Sequence, residues 1–275
     1  MTPNARDTGD SVFTDAVSRL YERVLVPLIF EPYAAPLAKR VDSMNVSRVL
    51  EVAAGTGVVT RALASTLPPS VSIVATDLNQ SMLDQAAAAG TSRPVEWRQA
   101  NAMDLPFADA SFDAVVCQFG VMFFPDKPKA FAEARRVLRP GGVFLFEVWD
   151  RIEENEFADA VTNALEPLFP DDPPRFLART PHGYFDTERI RRDLELGGFT
   201  SAPDLTTVAE RSRAASPDVP AIAYCHGTVL RNEIEARDPS GLERATGVAA
   251  AEIARRFGGG AVDGKIQAHI AIVAK

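Results

Sequence analysis

The feature that most constrains this chain is an apolar run that carries an acid near its end and leads into a glycine turn. The run Val49–Val52 is followed by Gly55 and Gly57. A second apolar run, about one helix further along the chain, closes on Asp77. Glycines at such a turn let the backbone approach a ligand where a Cβ would collide. Strand, glycine turn and helix in this order predict a doubly wound α/β fold with a nucleotide site at the carboxyl ends of its strands.

Two acids and one missing glycine distinguish between the nucleotides that such a turn binds. Asp77 is placed to accept hydrogen bonds from two ribose hydroxyls. Glu51, at the mouth of the turn, would repel a pyrophosphate but suits the ammonium of an amino-acid tail. Thr60 stands where the third glycine of the dinucleotide fingerprint would fall. These residues favour S-adenosylmethionine over NAD as the ligand.

Composition narrows the class of partner. The net charge of −8 argues against nucleic acid or an anionic membrane as the main partner. Two cysteines among 275 residues imply no disulfide framework, and neither acids nor histidines show the spacing of metal ligands. We therefore expect no metal. With no apolar run of membrane-span length and no signal-peptide core in the first ten residues, a cytoplasmic location is the expectation.

Hydrophobic patterning predicts one domain in three parts: an N-terminal helical lid over about 12–42, a core over about 47–150, and cap insertions with the last strands over about 151–275. Prolines 27, 32 and 36 divide the lid into short helices, and alternation in the core predicts helices on both faces of a mainly parallel sheet. The predicted strands are Ser47–Val52, Val71–Asp77, Val95–Gln99, Phe112–Gln118, Val143–Trp149, Leu205–Val208 and Ile266–Val273. The predicted helices are Val58–Leu67, Gln80–Ala88, Lys127–Leu138, Glu154–Glu166, Thr187–Leu196, Pro217–Glu235 and Gly241–Phe257.

A set of ordered motifs between Arg48 and Asp150 resembles the class I S-adenosylmethionine-dependent methyltransferases, in particular the small-molecule subgroup typified by ubiquinone and menaquinone biosynthesis enzymes. Two residues depart from the pattern: Ala53 replaces the usual first glycine, and Asn101 stands where an acid is common. The motifs are Leu50–Gly57 (motif I), Asp77 (the acid after the second strand), Asn101–Phe107 (the adenine-side loop), Phe112–Gln118 (the fourth strand) and Leu138–Phe146 (the turn into the fifth).

The resemblance implies a Rossmann-like methyltransferase fold: a seven-stranded, mainly parallel sheet with N-terminal helices over the cofactor mouth and a helical cap insertion. It also implies S-adenosylmethionine as cofactor, leaving as S-adenosylhomocysteine. Met82 could pack on the adenine face or serve as a core methionine. The expected cofactor-binding residues are Glu51, Ala53, Gly55, Gly57, Asp77, Leu78, Met82, Asn101, Ala102, Met103 and Gln118.

The segment just past the fourth strand, where the transferred methyl group should point, indicates the kind of acceptor. It lacks the Asn-Pro-Pro-Tyr-type motif of DNA-adenine and protein-glutamine methyltransferases, which weighs against those substrates. Phe119 and Phe123 instead offer apolar surface, and Tyr21 and Tyr33 are suited to line the mouth of the site. The expected acceptor-binding residues are Tyr21, Tyr33, Phe119, Phe123, Trp149, Tyr184 and His226.

Methyl transfer from a sulfonium needs in-line approach and exclusion of water, so no catalytic triad is required. His182 and His226 are candidate bases for an oxygen nucleophile, against a purely structural role for each. The sequence favours methyl transfer to O, N or C of a small, partly apolar molecule. It leaves open a cyclase-type enzyme that binds the same cofactor, a non-catalytic binding protein on the same scaffold, and the oligomeric state.

Overall fold

The computed structural model describes residues 15–275 of the chain. The strands are β1 (Arg48–Val52), β2 (Ser72–Asp77), β3 (Glu96–Gln99), β4 (Phe112–Gln118), β5 (Leu138–Trp149), β6 (Asp204–Ala214) and β7 (Val262–Ala274). The helices are α1 (Asp15–Leu20), α2 (Glu31–Asp42), α3 (Val58–Thr66), α4 (Gln80–Ala89), α5 (Lys127–Val137), α6 (Glu156–Leu165), α7 (Phe176–Arg179), α8 (Thr187–Leu196), α9 (Asp218–Gly227), α10 (Leu230–Arg237) and α11 (Leu242–Phe257). A π-helical segment spans Tyr21–Phe30, and 3-10 turns lie at Val121–Phe123 and Ile152–Glu154.

The seven strands form one sheet in the order β3-β2-β1-β4-β5-β7-β6. The pairs β1–β2, β1–β4, β2–β3 and β4–β5 are all parallel. Successive strands are added on one side of β1 up to β3 and on its other side from β4 onward, so the strand order reverses at β1 and β4. Such a switch point opens a ligand crevice at the carboxyl ends of the strands. The predicted seven-stranded, mainly parallel α/β fold is confirmed.

Contacts divide the chain into two compact units. The sheet unit comprises Tyr33–Val148, Tyr184–Val208 and Ala268–Lys275, and the helical unit comprises the described residues up to Pro32, Trp149–Gly183 and Ala209–Gln267. Within the helical unit, α11 packs against α6 and α9. The single domain expected from the sequence stays a prediction.

Alternation of side chains along the strands explains the two covered faces of the sheet unit. Val116 and Leu145 are paired in register and belong to a buried cluster with residues of α2 and α3, such as Leu37 and Leu63. On the opposite face Phe144 stacks among aromatic side chains, including Phe131 of α5 and Phe199. Both faces of the sheet are therefore shielded from solvent, which accounts for the nearly continuous apolar runs of the central strands.

The N-terminal segment differs from the prediction. Its described part is helical from Asp15 to Asp42 in three consecutive elements, so the prolines do not divide it into short helices. Pro27 lies inside the π-helical segment and Pro36 inside α2. A proline lacks the N–H of the α-helical ladder and its ring crowds the carbonyl four residues back, and a wider turn relieves that crowding. Residues 12–14 of the predicted lid lie outside the described residues.

Several predicted boundaries are also wrong. The fifth strand begins at Leu138 rather than Val143, because Pro140 and the glycines after it form an irregularity inside the strand, where its register against β4 shifts. β6 extends to Ala214, since an edge strand with exposed faces shows no long apolar run. The helix predicted over Pro217–Glu235 is two helices, separated by the extended Thr228.

No helix in residues 15–275 is both long and apolar enough to span a membrane.

Candidate functional site

The turn between β1 and α3 uses three residues with left-handed backbone. Ala53, Gly55 and Gly57 have φ values of 55°, 56° and 84°. A Cβ added at Gly55 would meet none of the described atoms within 4 Å, whereas one at Gly57 would come within 3.0 Å of the Ala86 Cβ. Gly57 is therefore required by packing, and Gly55 leaves open space beside the turn that a ligand can occupy. Left-handed alanine is strained, and such strain clusters at ligand sites.

Asp77 ends β2 and holds this turn. Its Oδ2 accepts a hydrogen bond from the Gly55 amide at 2.9 Å, and its Oδ1 accepts one from the Asn79 amide at 2.8 Å. Asp77 is only 7% exposed. Burial raises its pKa, while the backbone donors act in the opposite sense. The Asn79 side-chain amide also donates to Oδ1 at 3.4 Å. Since a carboxylate has about four acceptor positions, these three donors leave about one position for a further donor such as a ribose hydroxyl.

Glu51 is a buried acid beside the turn. Its carboxylate oxygen Oε2 accepts a hydrogen bond of 2.6 Å from the Thr60 hydroxyl, so the residue that replaces the third glycine is the partner of the acid. Burial raises the pKa of Glu51 to about 8, with the Thr60 hydroxyl acting against it. The uncharged carboxyl is thus favoured near neutral pH, and a cation brought next to it would favour ionisation.

The residues expected on the adenine side lie in different environments. Leu78, directly after Asp77, is 50% exposed, whereas Met82 is 3% exposed within the sheet unit. The Asn101 side-chain oxygen accepts a hydrogen bond from the Met103 amide at 2.9 Å, so this loop is closed by its own polar groups. Ala102 and Met103 are half-buried.

The end of β4 contains a second strained position. Phe119 has φ 50°, and its amide donates to the Glu147 carbonyl at 3.0 Å. Gly120 follows, and a Cβ there would lie 2.5 Å from the Ala53 Cβ. The carboxyl ends of β1 and β4 thus fit together only because Gly120 has no side chain.

Glu147 is a functional candidate that the sequence reasoning missed. It lies near the carboxyl end of β5, is 0% exposed, and is paired in register with Gln118 of β4. Its Oε2 accepts a 2.9 Å hydrogen bond from the Gln118 Nε2, while its Oε1 has no partner among the described residues. Burial raises its pKa to about 8. The available signal was an acid inside the otherwise apolar run 143–149.

Of the residues expected to bind the acceptor, Tyr33 and Phe119 lie together in the sheet unit. Their rings form an edge-to-face pair at 5.3 Å, and the Tyr33 hydroxyl donates to the Val208 carbonyl at 3.1 Å. Phe123 is half-buried. Tyr184 is buried, and its hydroxyl donates to Asp193 at 2.8 Å, which indicates a packing role in the same unit.

Tyr21 and Trp149, which were expected to bind the acceptor, and His182, a candidate base, lie together in the helical unit. Ring centroids are 5.2 Å apart for Tyr21 and Phe30, 6.0 Å for Phe30 and Trp149, and 6.1 Å for Trp149 and His182. The His182 Nδ1 donates to the Asp150 carbonyl at 2.9 Å, which leaves Nε2 with the lone pair. His182 is 5% exposed, and burial lowers its pKa to about 4. It is therefore neutral at physiological pH and a weak base.

His226, also in the helical unit, is half-buried. Its Nε2 lies 2.9 Å from the Thr246 hydroxyl, which itself donates to the Leu242 carbonyl at 2.8 Å. Because the hydroxyl proton is already used, the His226 Nε2 carries the proton and donates it. Burial lowers the pKa of His226, opposed by the nearby Glu243 carboxylate. The His226–Thr246 hydrogen bond joins α9 to α11, which is typical of a structural role.

Comparison with known proteins places these observations in context. The family model described as "Methyltransferase domain" matches residues 50–146. A "Ubiquinone/menaquinone biosynthesis C-methyltransferase UbiE" from Hahella chejuensis is 44% identical over 101 residues, which cover 35% of this chain and 41% of that protein. The chain thus matches less than half the length of that relative.

A longer match is found with the UbiE C-methyltransferase of Stutzerimonas stutzeri, 32% identical over 206 residues that cover 70% of this chain and 76% of the relative. Among solved structures, an N-methyltransferase from Haemonchus contortus, in complex with phosphomonomethylethanolamine and S-adenosylhomocysteine, aligns with a TM-score of 0.57. It is 19% identical, and the alignment covers 95% of this chain and 57% of that one. At that identity the likeness concerns the fold.

Proposed function

Because the chain belongs to the class I S-adenosylmethionine-dependent methyltransferase family, we propose that it transfers a methyl group from S-adenosylmethionine to O, N or C of a small, partly apolar acceptor. The observation that carries the proposal is the intact turn at the sheet switch point, with Asp77 bonded to the Gly55 amide and open space beside that glycine. The acceptor class rests on the apolar, aromatic character of the residues after β4.

The residues around the turn fit the parts of the proposed cofactor. In the proposal, Asp77 accepts hydrogen bonds from the ribose hydroxyls and Leu78 packs on one face of the adenine. The half-exposed side chain of Leu78 directly follows Asp77 in the chain, so it is accessible to a ligand bound there. Asn101 keeps its amide nitrogen as a donor toward the adenine edge, since its oxygen is held by the Met103 amide.

Glu51 supplies negative charge for the methionine ammonium. Its carboxyl is uncharged near neutral pH in the free protein, and an ammonium beside it would lower its pKa. Binding at neutral pH should therefore release a proton to the buffer. The neighbouring Ala53, Gly57, Met82, Ala102 and Met103 would shape the site by packing and backbone contacts rather than by charge.

When bound, S-adenosylmethionine supplies a methyl group activated by its sulfonium. The chain's own part is to hold the acceptor in line with that group and exclude water, which is worth roughly 7–11 kcal/mol in well-oriented reactions. In the sheet unit, Gln118, Phe119 and Tyr33 are proposed to do this, while Phe123 and Tyr184 stay predictions as acceptor contacts. Tyr21, Trp149 and His226 of the helical unit stay predictions as acceptor contacts.

The two histidines stay predictions as bases, and their hydrogen bonds support structural roles instead. His182 donates to a backbone carbonyl and His226 to a hydroxyl, so each is fixed by the protein. General-base help is typically worth about 10²–10⁴-fold in rate. We expect His182→Gln and His226→Gln to keep turnover within about tenfold of the wild type once an acceptor is known. A loss of about a hundredfold or more in one variant would identify that histidine as the base.

The proposal is tested with S-adenosylmethionine labelled in its methyl group and pooled small-molecule acceptors. We expect label to appear in a small organic product with the wild type, and to appear more slowly in Asp77→Asn when the cofactor is below saturation. Asp84→Asn is the matched control, since Asp84 is an exposed acid of α4 in the same unit. Cofactor binding without transfer to any acceptor would contradict methyl transfer, and absence of binding would contradict the whole proposal.

A further inference from the structure

Gln118 and Glu147 form a buried polar pair at the carboxyl edge of the sheet. They are adjacent in register on β4 and β5, where the preceding register pairs are apolar, such as Val116 with Leu145. Because side chains alternate along a strand, both project from the face that carries Glu51 and Val116. Carboxyl ends of parallel strands at a switch point border the ligand crevice. The pair therefore lies at the functional edge of the sheet rather than deep within it.

The carboxyl of Glu147 is poorly satisfied for a buried group. The Gln118 Nε2 is its side-chain partner, and Oε1 lacks one among the described residues. A buried polar atom without a partner costs about 1–3 kcal/mol. Arg40 of α2 is the charged group that acts on this carboxyl, and its effect opposes that of burial. A buried acid with an unpartnered oxygen stabilises the fold less than an apolar side chain would. Stability alone therefore does not explain Glu147, which points to a functional role.

The hydrogen bond fixes which way the Gln118 amide points. Its Nε2 is turned toward Glu147, so the amide oxygen is the polar atom left for a ligand. Gln118 is 9% exposed and Glu147 is 0% exposed, so a ligand would reach Gln118 first. The neighbouring Phe119 and Tyr33 rings give this position an aromatic side.

We infer that Glu147 is a positioning residue, which holds the Gln118 amide oxygen toward the methyl acceptor and so selects acceptors that present an N–H or O–H donor. The inference rests on the proposed function for the identity of the ligand as a methyl acceptor. It specifies the chemistry shared by the acceptors: an aromatic or otherwise apolar body with a hydrogen-bond donor at or beside the atom that is methylated. A carbonyl, which only accepts hydrogen bonds, would face the amide oxygen and be disfavoured.

The test uses three probes of similar size, bound to the protein loaded with S-adenosylhomocysteine. Indole presents an N–H donor, phenol an O–H donor, and acetophenone an acceptor only. We expect the wild type to bind indole or phenol at least about tenfold more tightly than acetophenone, and the stronger of the two identifies N–H or O–H as the preferred donor. In Glu147→Leu the Gln118 Nε2 loses its acceptor and the amide is no longer held in one orientation, so the preference should fall below about threefold.

Two further variants keep the outcome decisive. Gln118→Leu should also lose the preference, which covers the case in which Glu147→Leu fails to fold. Glu195→Gln, an exposed site on α8, should keep the wild-type preference. An unchanged preference in Glu147→Leu, or a wild type that binds no donor probe more tightly than acetophenone, would overturn the inference. The affinity for S-adenosylhomocysteine, measured in parallel, should stay within about twofold of the wild type in Glu147→Leu. If the wild type does not bind S-adenosylhomocysteine at all, the result counts against the proposed function instead.

Discussion

At the scale of single residues, Ala53 after β1 and Gly120 after β4 are packed closely against each other. Ala53 has left-handed backbone, and its Cβ occupies the space that Gly120 leaves. We expect Gly120→Ala to lower the free energy of unfolding by about 1–3 kcal/mol, because the new Cβ would lie 2.5 Å from that of Ala53 and 2.8 Å from the Cys117 sulfur. Adding Ala53→Gly should recover part of the loss. Urea denaturation of the two single variants and the double variant gives the interaction energy between positions 53 and 120. Purely additive effects would contradict a direct contact between them.

Glu51 should make stability depend on pH. Because its pKa in the folded protein is raised from 4.5 to about 8, the folded state holds the proton more tightly than the unfolded chain. The stabilising contribution is complete below pH 4.5 and is lost as the pH rises through about 8. Glu51→Gln should therefore flatten the decline of unfolding free energy over this range, measured by urea denaturation at several pH values. Glu147 has a similarly raised pKa, so the substitution is also compared in a Glu147→Gln background.

The control for this pH dependence is Glu195→Gln, an exposed acid that should keep the wild-type slope. A Glu51→Gln variant with the same slope as the wild type in both backgrounds would show that Glu51 is not the titrating group.

At the scale of elements, one carboxylate holds the amino-terminal side of the sheet. Asp113 in β4 accepts hydrogen bonds from the Ser47 and Arg48 amides, each at 2.8 Å, and from the Arg139 guanidinium at 2.6 Å. Partial burial acts to raise the pKa of Asp113, but these donors lower it from 3.8 to about 2. Its contribution is therefore present above pH 3.8 and lost as the pH falls through about 2.

We expect Asp113→Asn to cost about 1–3 kcal/mol of unfolding free energy at neutral pH. The difference from the wild type should shrink as the solution is acidified below pH 3.8, measured by denaturation with Asp84→Asn as the control. A difference that does not change with pH would assign the loss to packing rather than to the ionised carboxylate.

The elements also show how far sequence reasoning reaches. β4 and α8 have the predicted boundaries. β4 coincides with an apolar run, and α8 begins after the N-cap Asp186 and ends at the C-terminal glycine Gly197. β5 and the N-terminal helices do not have the predicted boundaries. Glycines and prolines normally end an element, but here they lie inside a strand irregularity and a π-helical segment. The glycine turn is a local motif and was located correctly. The Gln118–Glu147 bond joins residues 29 positions apart, and local patterns do not encode such a pairing.

At the scale of the whole molecule, the two units are expected to respond differently to the cofactor. The turn, Asp77 and the Asn101 loop all belong to the sheet unit. Hydrogen exchange with and without S-adenosylhomocysteine should therefore show protection first in residues 50–57, 74–82 and 101–103, because ligand binding suppresses local opening. Protection that is absent from all three segments would contradict the assigned site.

The same exchange experiment tests the predicted lid. If the N-terminal segment over about 12–42 covers the cofactor mouth, as the family resemblance implies, ligand binding should add protection in that segment. Protection confined to residues after Arg48 would contradict an N-terminal lid, and the contribution of Tyr21 and Tyr33 to the mouth of the site would then have to be abandoned.

The central claim is that the turn after β1, held by Asp77, binds S-adenosylmethionine. Titration calorimetry of S-adenosylhomocysteine into the wild type, Asp77→Asn and the control Asp84→Asn tests it most directly. We expect the wild type and Asp84→Asn to bind with similar affinity, and Asp77→Asn to lose about 1–3 kcal/mol of binding free energy, because an amide is a weaker acceptor for the ribose hydroxyls and disturbs the bond to Gly55. Equal affinity in Asp77→Asn and the wild type, or tighter binding of NAD than of S-adenosylhomocysteine by the wild type, would contradict the account.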